Sequence, residues 1–329
     1  MSDIGAPLRW DHLRTENCDN WADLNNLMAR FDGTEEFYEA ADLKEDLQSA
    51  TFTAELDSWG IWMGDQLVAI GQILVPEGVS NEGLARAYLF GGVHPDHRGR
   101  GIGRQLFEVQ QRRGGELAGQ RHPGHPGIWF ADGGIPGATV RSLLARRGFE
   151  IARYFAHMVR PVSAGPLETT APLPDGIRLI TPTPEMSSDL RIVHNVAFAD
   201  HWNAGEKSER GWKEERESRS ARPALSTVAV DADGVALSYV WAAQWVDREL
   251  YIDAVGTSPP ARHHGLAAAC LSRTVNLAWG SGDYDKVDLG VDSASPTGAT
   301  RLYESLGFSV DRTFALYGLA MPSEADQKS

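Results

Sequence analysis

Two short segments of the chain combine glycine with basic residues where a predicted strand is followed by a predicted helix. The first follows Val93 and consists of Arg98, Gly99, Arg100, Gly101, Ile102 and Gly103. The second consists of Arg262, His263, His264, Gly265, Leu266 and Ala267. Glycine lets a ligand approach the backbone closely, and the free N–H groups of such a turn, together with the helix dipole, attract an anion. Each segment therefore predicts a phosphate-binding turn.

The spacing of the glycines distinguishes these turns from two common phosphate-binding motifs. Neither segment contains GxxxxGK[ST], which excludes a P-loop. The first segment reads GxGxG rather than GxGxxG, and no acidic residue about 20 positions later belongs to a dinucleotide-binding unit. The remaining alternative is that the glycines serve only a tight turn. Because the motif occurs twice, we favour the phosphate-binding interpretation.

The repeated turn is part of a longer duplication. A second pair of landmarks, Gly148-Phe149 and Gly307-Phe308, recurs in the same order and at nearly the same offset. Between the two halves, residues 163–176 are rich in Pro, Ser, Thr and Gly, a composition typical of an extended linker. The sequence predicts an N-terminal domain over residues 1–162, a linker over 163–176 and a C-terminal domain over 177–329.

Both halves show the same order of predicted elements. In the second half, strands are expected at 177–181, 227–230, 235–246, 249–257, 287–291 and 308–319, and helices at 184–202, 208–219, 265–279 and 296–306. In the first half, helices are expected at 20–31, 35–47, from 101 and at 138–147, and strands at 52–74 (a pair), 86–93, 127–131 and from 149. This order predicts an α/β fold, with a mixed sheet and helices against it in each half.

The two turns resemble the acyl-CoA pyrophosphate loop of the GNAT N-acetyltransferase superfamily, whose pattern is [QR]-x-x-G-x-[GA]. A second segment resembles the family's other landmark, a helix with a tyrosine followed by Gly-Phe, here Leu302-Tyr303-Glu304 and then Gly307-Phe308. The family often has Asn where this chain has Ser295. The layout of both halves resembles the tandem members of the mycothiol-synthase type.

This resemblance implies transfer of an acetyl group from acetyl-CoA to a primary amine of a small molecule. It also implies that the cofactor is held by the two loops and by flanking residues, namely Val93, Val255, Thr257 and Ser295. Backbone N–H groups of the neighbouring strand can polarise the thioester carbonyl. The leaving thiolate must gain a proton, which a tyrosine can donate, and a carboxylate can take the proton of the amine.

Aligning the halves indicates which of them is the enzyme. Leu144 aligns with Tyr303, and leucine has no proton to donate. In the strand before the loop, Leu89 aligns with Asp253 and Ala85 with Glu249. The C-terminal half is therefore expected to be catalytic, and the N-terminal half either binds coenzyme A without catalysis or only supports the fold.

Within the C-terminal half, we expect Tyr303 to be the general acid and Glu249 or Asp253 the general base. In a regular strand, Glu249, Tyr251, Asp253 and Val255 point to one face. The longer side chain of Glu249 slightly favours it, although a bulge would break this parity. His201 and Trp202 follow the helix that borders the acceptor site in the family, and are candidate substrate contacts.

The composition of the chain bears on its binding partners and on its location in the cell. The chain has 329 residues, a net charge of −14 and a pI of about 5.1, which disfavours nucleic acid as a partner and mildly favours a cationic acceptor. Two cysteines cannot build a disulfide framework or a structural zinc site, and no signal peptide or membrane span is visible, so a cytoplasmic location is expected.

Two alternatives remain at this point. One is a non-catalytic acyl-CoA-binding or sensing module, and the other is a metal-dependent hydrolase that uses His94, Asp96 and His97. The loose spacing of these histidines disfavours a metal site. The sequence leaves the acceptor, the length of the acyl chain and the oligomeric state open.

Overall fold

The computed structural model describes residues 7–168, 172–295 and 298–322. The chain divides into two compact units, one formed by the residues up to Arg153 and from Phe314 onwards, and the other by Tyr154–Thr313. The expected boundaries at 162 and 177 divide the chain linearly, whereas the observed units do not. The final residues of the last strand, Leu316–Ala320, belong to the first unit and pair with a strand of that unit.

The first unit contains most of the elements of the first half. They are β1 (Leu8–Asp11), α1 (Cys18–Asp32), α2 (Ala40–Gln48), α3 (Ala54–Asp57), β2 (Ser58–Met63), β3 (Gln66–Leu74), β4 (Ala85–Val93), α4 (Ile102–Arg121), β5 (Gly127–Asp132), α5 (Val140–Arg146) and the start of β6 (Glu150–Pro161). Strands β1 to β5 are neighbours in chain order, and Leu316–Ala320 pairs with β5. All these pairs are antiparallel except β4–β5, which is parallel.

The second unit repeats this arrangement. Its elements are β7 (Arg178–Ile180), α6 (Ser187–Phe198), α7 (Glu209–Arg216), β8 (Thr227–Val230), β9 (Ala236–Ala243), β10 (Glu249–Thr257), α8 (Leu266–Ser281), β11 (Lys286–Asp292), α9 (Ala299–Ser305) and the start of β12 (Ser309–Ala320). Strands β7 to β11 are neighbours, with β10–β11 parallel, and Phe155–Pro161 of β6 pairs with β11. The predicted mixed α/β fold and its duplication are confirmed.

Two apolar layers cover the sheet of the second unit. On one face, α8 and α9 pack on the strands through a cluster that includes Leu250, Leu271 and Val287, all fully buried. On the other face, α6 and α7 contribute Leu190 and Trp212. Each such side chain stabilises the fold by about 1.5–3 kcal/mol, which fixes β10 and β11 between the two layers.

Several elements differ from the sequence-based prediction. The helix expected at 184–202 begins at Ser187, after a 3-10 turn at Pro184–Met186, and ends at Phe198. The helix expected at 296–306 spans Ala299–Ser305, while Pro296 and Thr297 lie outside the described residues. Strand β1 and helix α3 were not predicted, because each has only four residues and carries no detectable periodicity.

The expected linker is partly anchored. The Leu167 backbone N–H donates to Asn276 Oδ1 at 2.7 Å, and Asn276 Nδ2 donates to the Leu167 carbonyl at 2.9 Å. Thr169, Thr170 and Ala171 lie outside the described residues. Among the described residues, no helix combines the length and the apolar character needed to cross a membrane.

Candidate active site

The loop between β10 and α8 exposes consecutive backbone N–H groups. After β10 the chain makes a 3-10 turn at Pro259–Ala261, and His263 and Gly265 then take left-handed conformations, with φ of 66° and 76°. The N–H groups of residues 263–268 have no hydrogen-bond partner among the described residues. A Cβ added at Gly265 would meet no atom within 4 Å. The loop can therefore accept an anion through its backbone, as the sequence predicted.

The loop between β4 and α4 has the same conformation. A 3-10 turn at Pro95–His97 is followed by Gly99 and Gly101, with φ of 75° and 86°, and α4 begins at Ile102. The N–H groups of residues 99–104 also have no partner within the described part of the chain. Both units thus present a backbone cradle of the same geometry.

The arginines that open the two loops point away from these N–H groups. Arg262 donates to the carbonyls of Thr257 and Ala197 and forms an ion pair with Asp200. Arg98 donates to the Val93 carbonyl at 2.9 Å and binds both carboxylate oxygens of Asp32 at 2.6 Å. The Arg98 guanidinium thus joins the end of β4 to the end of α1, and the Arg262 guanidinium joins the end of β10 to the end of α6. These side chains therefore fix the position of the loop.

The strand before each loop has an open edge. β10 pairs with β11 only from Glu249 to Ile252, and β4 pairs with β5 only from Ala85 to Leu89. Beyond these points, the parallel strands separate in the described structure. Backbone N–H groups on such an edge can donate to a carbonyl placed between the strands. Val255, Thr257 and Val93, which were expected to contact the cofactor, lie on these open edges.

A β-bulge lies at the start of the open edge of β10. Ile252 pairs with Ala242 and Ala254 pairs with Trp241, so Asp253 is the additional residue. Glu249, Tyr251, Asp253 and Val255 were expected to share one face only in a regular strand, and this bulge breaks that regularity. Because the bulge reverses the alternation, Val255 packs with the apolar cluster that contains Leu250 and Ile252.

Tyr303 lies on α9 and faces the same apolar cluster as Leu266 and Val255. Its side chain packs edge-to-face on Phe308, and its residue is 8% exposed. Burial raises the pKa of Tyr303 to about 12, so the phenol keeps its proton at any physiological pH. The phenol, the first residue of α8 and a residue of the open edge of β10 thus belong to one apolar cluster.

The equivalent position of the first unit lacks a proton donor. Leu144 lies on α5, and its carbonyl accepts from the N–H groups of Arg147 and Phe149. The Tyr303 carbonyl accepts in the same way from Leu306 and Phe308. Leu144 is fully buried, which confirms that the two positions are equivalent in structure but different in chemistry.

Both candidate carboxylates are held by cations. Glu249 lies 3.0 Å from Lys286 Nζ. Asp253 lies 2.6 Å from Nη2 of Arg216, whose guanidinium stacks between Trp212 and Trp241 at 4.8 Å from each ring. Arg216 was not among the residues that the sequence predicted for the site. Its only signal was Trp212, the one large apolar residue of a charged helix, which marks the buried face on which Arg216 also lies.

The remaining candidates lie near the loop of the second unit. His201 packs on Phe198 at the end of α6, and burial, followed by the charge of Arg262, lowers its pKa. Trp202 follows it and is half-buried. The Ser295 N–H donates to the Asp292 carbonyl just after β11. Within the part of the chain that the structure describes, no cluster of His, Cys, Asp or Glu could hold a metal ion.

Comparison with known proteins identifies this arrangement. The sequence model of the acetyltransferase (GNAT) family matches residues 190–308. A mycothiol acetyltransferase of Thermobispora bispora is 35% identical over 227 residues, which cover 66% of this chain and 70% of that protein. The chain belongs to the GNAT family of acetyltransferases. A mycothiol acetyltransferase of Rothia mucilaginosa is 26% identical and aligns with 95% of this chain and 92% of its own.

Solved GNAT structures share the fold. A GCN5-related N-acetyltransferase from Sphaerobacter thermophilus superimposes with a TM-score of 0.74, at 20% identity and 96% coverage of both chains. A tandem GNAT protein from the clavulanic acid biosynthesis pathway gives a TM-score of 0.73 at 21% identity, and covers 97% of this chain and 100% of its own. The chain is thus a GNAT N-acetyltransferase that uses acetyl-CoA as donor, and it shares the tandem fold of these proteins.

Proposed function

We propose that the second unit transfers the acetyl group of acetyl-CoA to a primary amine of a small molecule by direct attack. One observation carries this proposal: among the described residues, only this unit has a buried phenol in the same cluster as the first residue of the loop helix and the open strand edge. The exposed N–H groups of residues 263–268 fit the diphosphate of the donor.

Different groups of the second unit are proposed to serve different steps of the reaction. Acetyl-CoA, when bound, supplies the acetyl group as a thioester, whose sulfur is the leaving group. Backbone N–H groups on the edge of β10 beyond Ile252 can donate to the carbonyl oxygen. Tyr303 holds a proton at Oη and can donate a hydrogen bond to the sulfur, because its raised pKa keeps it neutral.

The proton of the amine requires a base, for which we propose Asp253 or Glu249. Asp253 lies at the bulge, where β10 leaves β11, whereas Glu249 lies at the other end of their paired segment. Four residues of strand span about 13 Å, so position favours Asp253 over the longer side chain of Glu249. Comparing Asp253→Asn with Glu249→Gln identifies the base, since only the variant that lacks it loses its turnover.

Replacement of Tyr303 tests the proposal. Tyr303→Phe should lower kcat by about 100-fold or more, the usual contribution of a positioned proton donor, and leave the Kd for acetyl-CoA nearly unchanged. Turnover is measured from released coenzyme A and the Kd by calorimetry. Tyr317→Phe, another buried tyrosine, is the matched control and should keep full activity. Full turnover in Tyr303→Phe would contradict the assignment.

For the first unit, we propose coenzyme binding without transfer. Its loop has the same conformation and the same free N–H groups as the loop of the second unit. Leu144 replaces the phenol, and buried Leu89 and Ala85 occupy the positions of the two carboxylates. This unit can hold a diphosphate, but at the three positions that align with Tyr303, Asp253 and Glu249 it has no side chain that donates or accepts a proton.

A further inference from the structure

A polar cluster lies on the face of the second sheet that is opposite to α8 and α9. Gly290 is the first residue of β11 beyond the last β10–β11 pair, and His157 of β6 lies directly opposite it. Asp288 of β11 pairs with Tyr251 of β10. Since Leu289 packs in the apolar cluster, its neighbours Asp288 and Gly290 point to the other face. The polar cluster is therefore level with the point where the strands separate.

The Tyr251 hydroxyl occupies the space above Gly290 at this point. A Cβ added there would lie 3.0 Å from the Tyr251 hydroxyl oxygen. The phenol of Tyr251 therefore reaches across β11 toward the side on which His157 lies. A side chain at position 290 would force this hydroxyl to move.

Asp288 is the buried centre of the cluster, with 6% of the residue exposed. Its Oδ2 lies 3.0 Å from His157 Nε2, while its Oδ1 is buried and has no hydrogen-bond partner among the described residues. A buried carboxylate oxygen without a donor is unfavourable, and a ligand that donates to it removes that cost. Asp288 is thus a buried acceptor that requires a donor.

Two further charged groups complete the cluster on β12. Asp311 Oδ2 lies 3.4 Å from His157 Nδ1, and Arg312 binds the same Asp311 oxygen. Arg312 compensates the negative charge of Asp311. Of the two carboxylates in the cluster, that of Asp288 therefore has no arginine or lysine partner among the described residues. The His157 side chain is 19% exposed and lies between Asp288 and solvent, so a ligand meets it first.

We propose that this cluster is a subsite of the acceptor and binds a cationic nitrogen other than the amine that is acetylated. The inference rests on the proposed acetylation of amines by the second unit. An ammonium group both donates to Asp288 Oδ1 and compensates its charge, whereas a hydroxyl group only donates. The acceptor class is therefore a small diamine, with one nitrogen at Asp288 and the other between the separating strands.

Three acceptors of equal chain length test this subsite: a linear α,ω-diamine, the corresponding monoamine and the corresponding amino alcohol. In the wild type, kcat/KM for the diamine should exceed that of the other two by about tenfold or more, as expected for a charge-assisted hydrogen bond. Asp288→Asn should abolish this preference through KM of the diamine, and leave KM of acetyl-CoA unchanged. Gly290→Ala keeps Asp288 but forces the neighbouring Tyr251 hydroxyl to move, and should also raise KM of the diamine.

Asp285→Asn is the matched control, because Asp285 lies only three residues before Asp288 but is exposed and paired with Arg248. It should keep the preference for the diamine. An unchanged preference in both Asp288→Asn and Gly290→Ala, or a wild-type preference for the amino alcohol, would overturn the subsite alone. Failure of the wild type to acetylate any primary amine would overturn the proposed function itself.

Discussion

One hydroxyl group distinguishes two helix positions whose backbones are equivalent. The Tyr303 carbonyl and the Leu144 carbonyl each accept hydrogen bonds from the N–H groups of the residues three and five positions later. Both side chains are buried in the apolar cluster of their unit. The difference between the units at this position is therefore chemical, since only the phenol carries a proton that it can donate.

A buried contact between His194 and Tyr239 is expected to make the stability of the fold depend on pH. His194 Nδ1 lies 2.6 Å from the Tyr239 hydroxyl, and both residues are buried. Burial, followed by the charge of Lys207, lowers the pKa of His194 to about 4. In the unfolded chain, histidine titrates near its reference pKa of about 6.5. Between these two values, the unfolded state binds the additional proton.

Stability should therefore decrease as the pH falls through this window. From neutral pH to about pH 5, His194 should lower the free energy of unfolding by about 2 kcal/mol. Urea unfolding of the wild type and of His194→Gln at both pH values measures this contribution. The variant should lose about 2 kcal/mol less than the wild type over the same change. Equal losses in the two proteins would contradict the lowered pKa.

At the scale of elements, the bulge in β10 changes the face on which the residues after Asp253 lie. Asp253 is the additional residue of the bulge and reaches the guanidinium of Arg216. Arg216 in turn is held by the indoles of Trp212 and Trp241. Helix α7 thus positions the carboxylate of Asp253 on the face opposite to Ile252, while the bulge turns Val255 to the face of Ile252.

Removal of this buried cation should be costly. Arg216→Met should lower the free energy of unfolding by about 3 kcal/mol, because Asp253 then loses its partner and two indoles lose a stacked guanidinium. Arg248→Met breaks the exposed pair with Asp285 and should cost less than about 1 kcal/mol. Denaturant unfolding compares the two variants, and a similar small effect of both would show that Arg216 does not hold Asp253.

The sequence predicted these elements unevenly, for physical reasons. The two loops were predictable, because only glycine takes the left-handed backbone at low cost and both loops place it just before the helix. The bulge was not predictable, because the residues around Asp253 would read the same in a regular strand as they do in a bulged one. Arg216 was missed because a charged residue on a charged helix gives no sign that two tryptophans bury it.

At the scale of the molecule, the duplication was visible in the sequence but the path of the final strand was not. Landmarks such as Gly148 and Gly307 repeat along the chain and mark equivalent helix ends. The pairing of Leu316–Ala320 with β5 is a long-range contact that no local pattern encodes. The two units share the conformation of the loop, whereas Tyr303, Asp253 and Glu249 of the second unit align with Leu144, Leu89 and Ala85 of the first.

The matched loop variants Gly265→Asp and Gly101→Asp test this division of labour most directly. Aspartate tolerates a left-handed backbone, a Cβ at either position meets no atom within 4 Å, and the added carboxylate repels a diphosphate. Turnover and calorimetric titration with acetyl-CoA are measured on both full-length variants. We predict that Gly265→Asp abolishes turnover, while Gly101→Asp keeps turnover and loses one of two binding events. Full turnover in Gly265→Asp, or its loss in Gly101→Asp alone, would contradict the assignment of catalysis to the second unit.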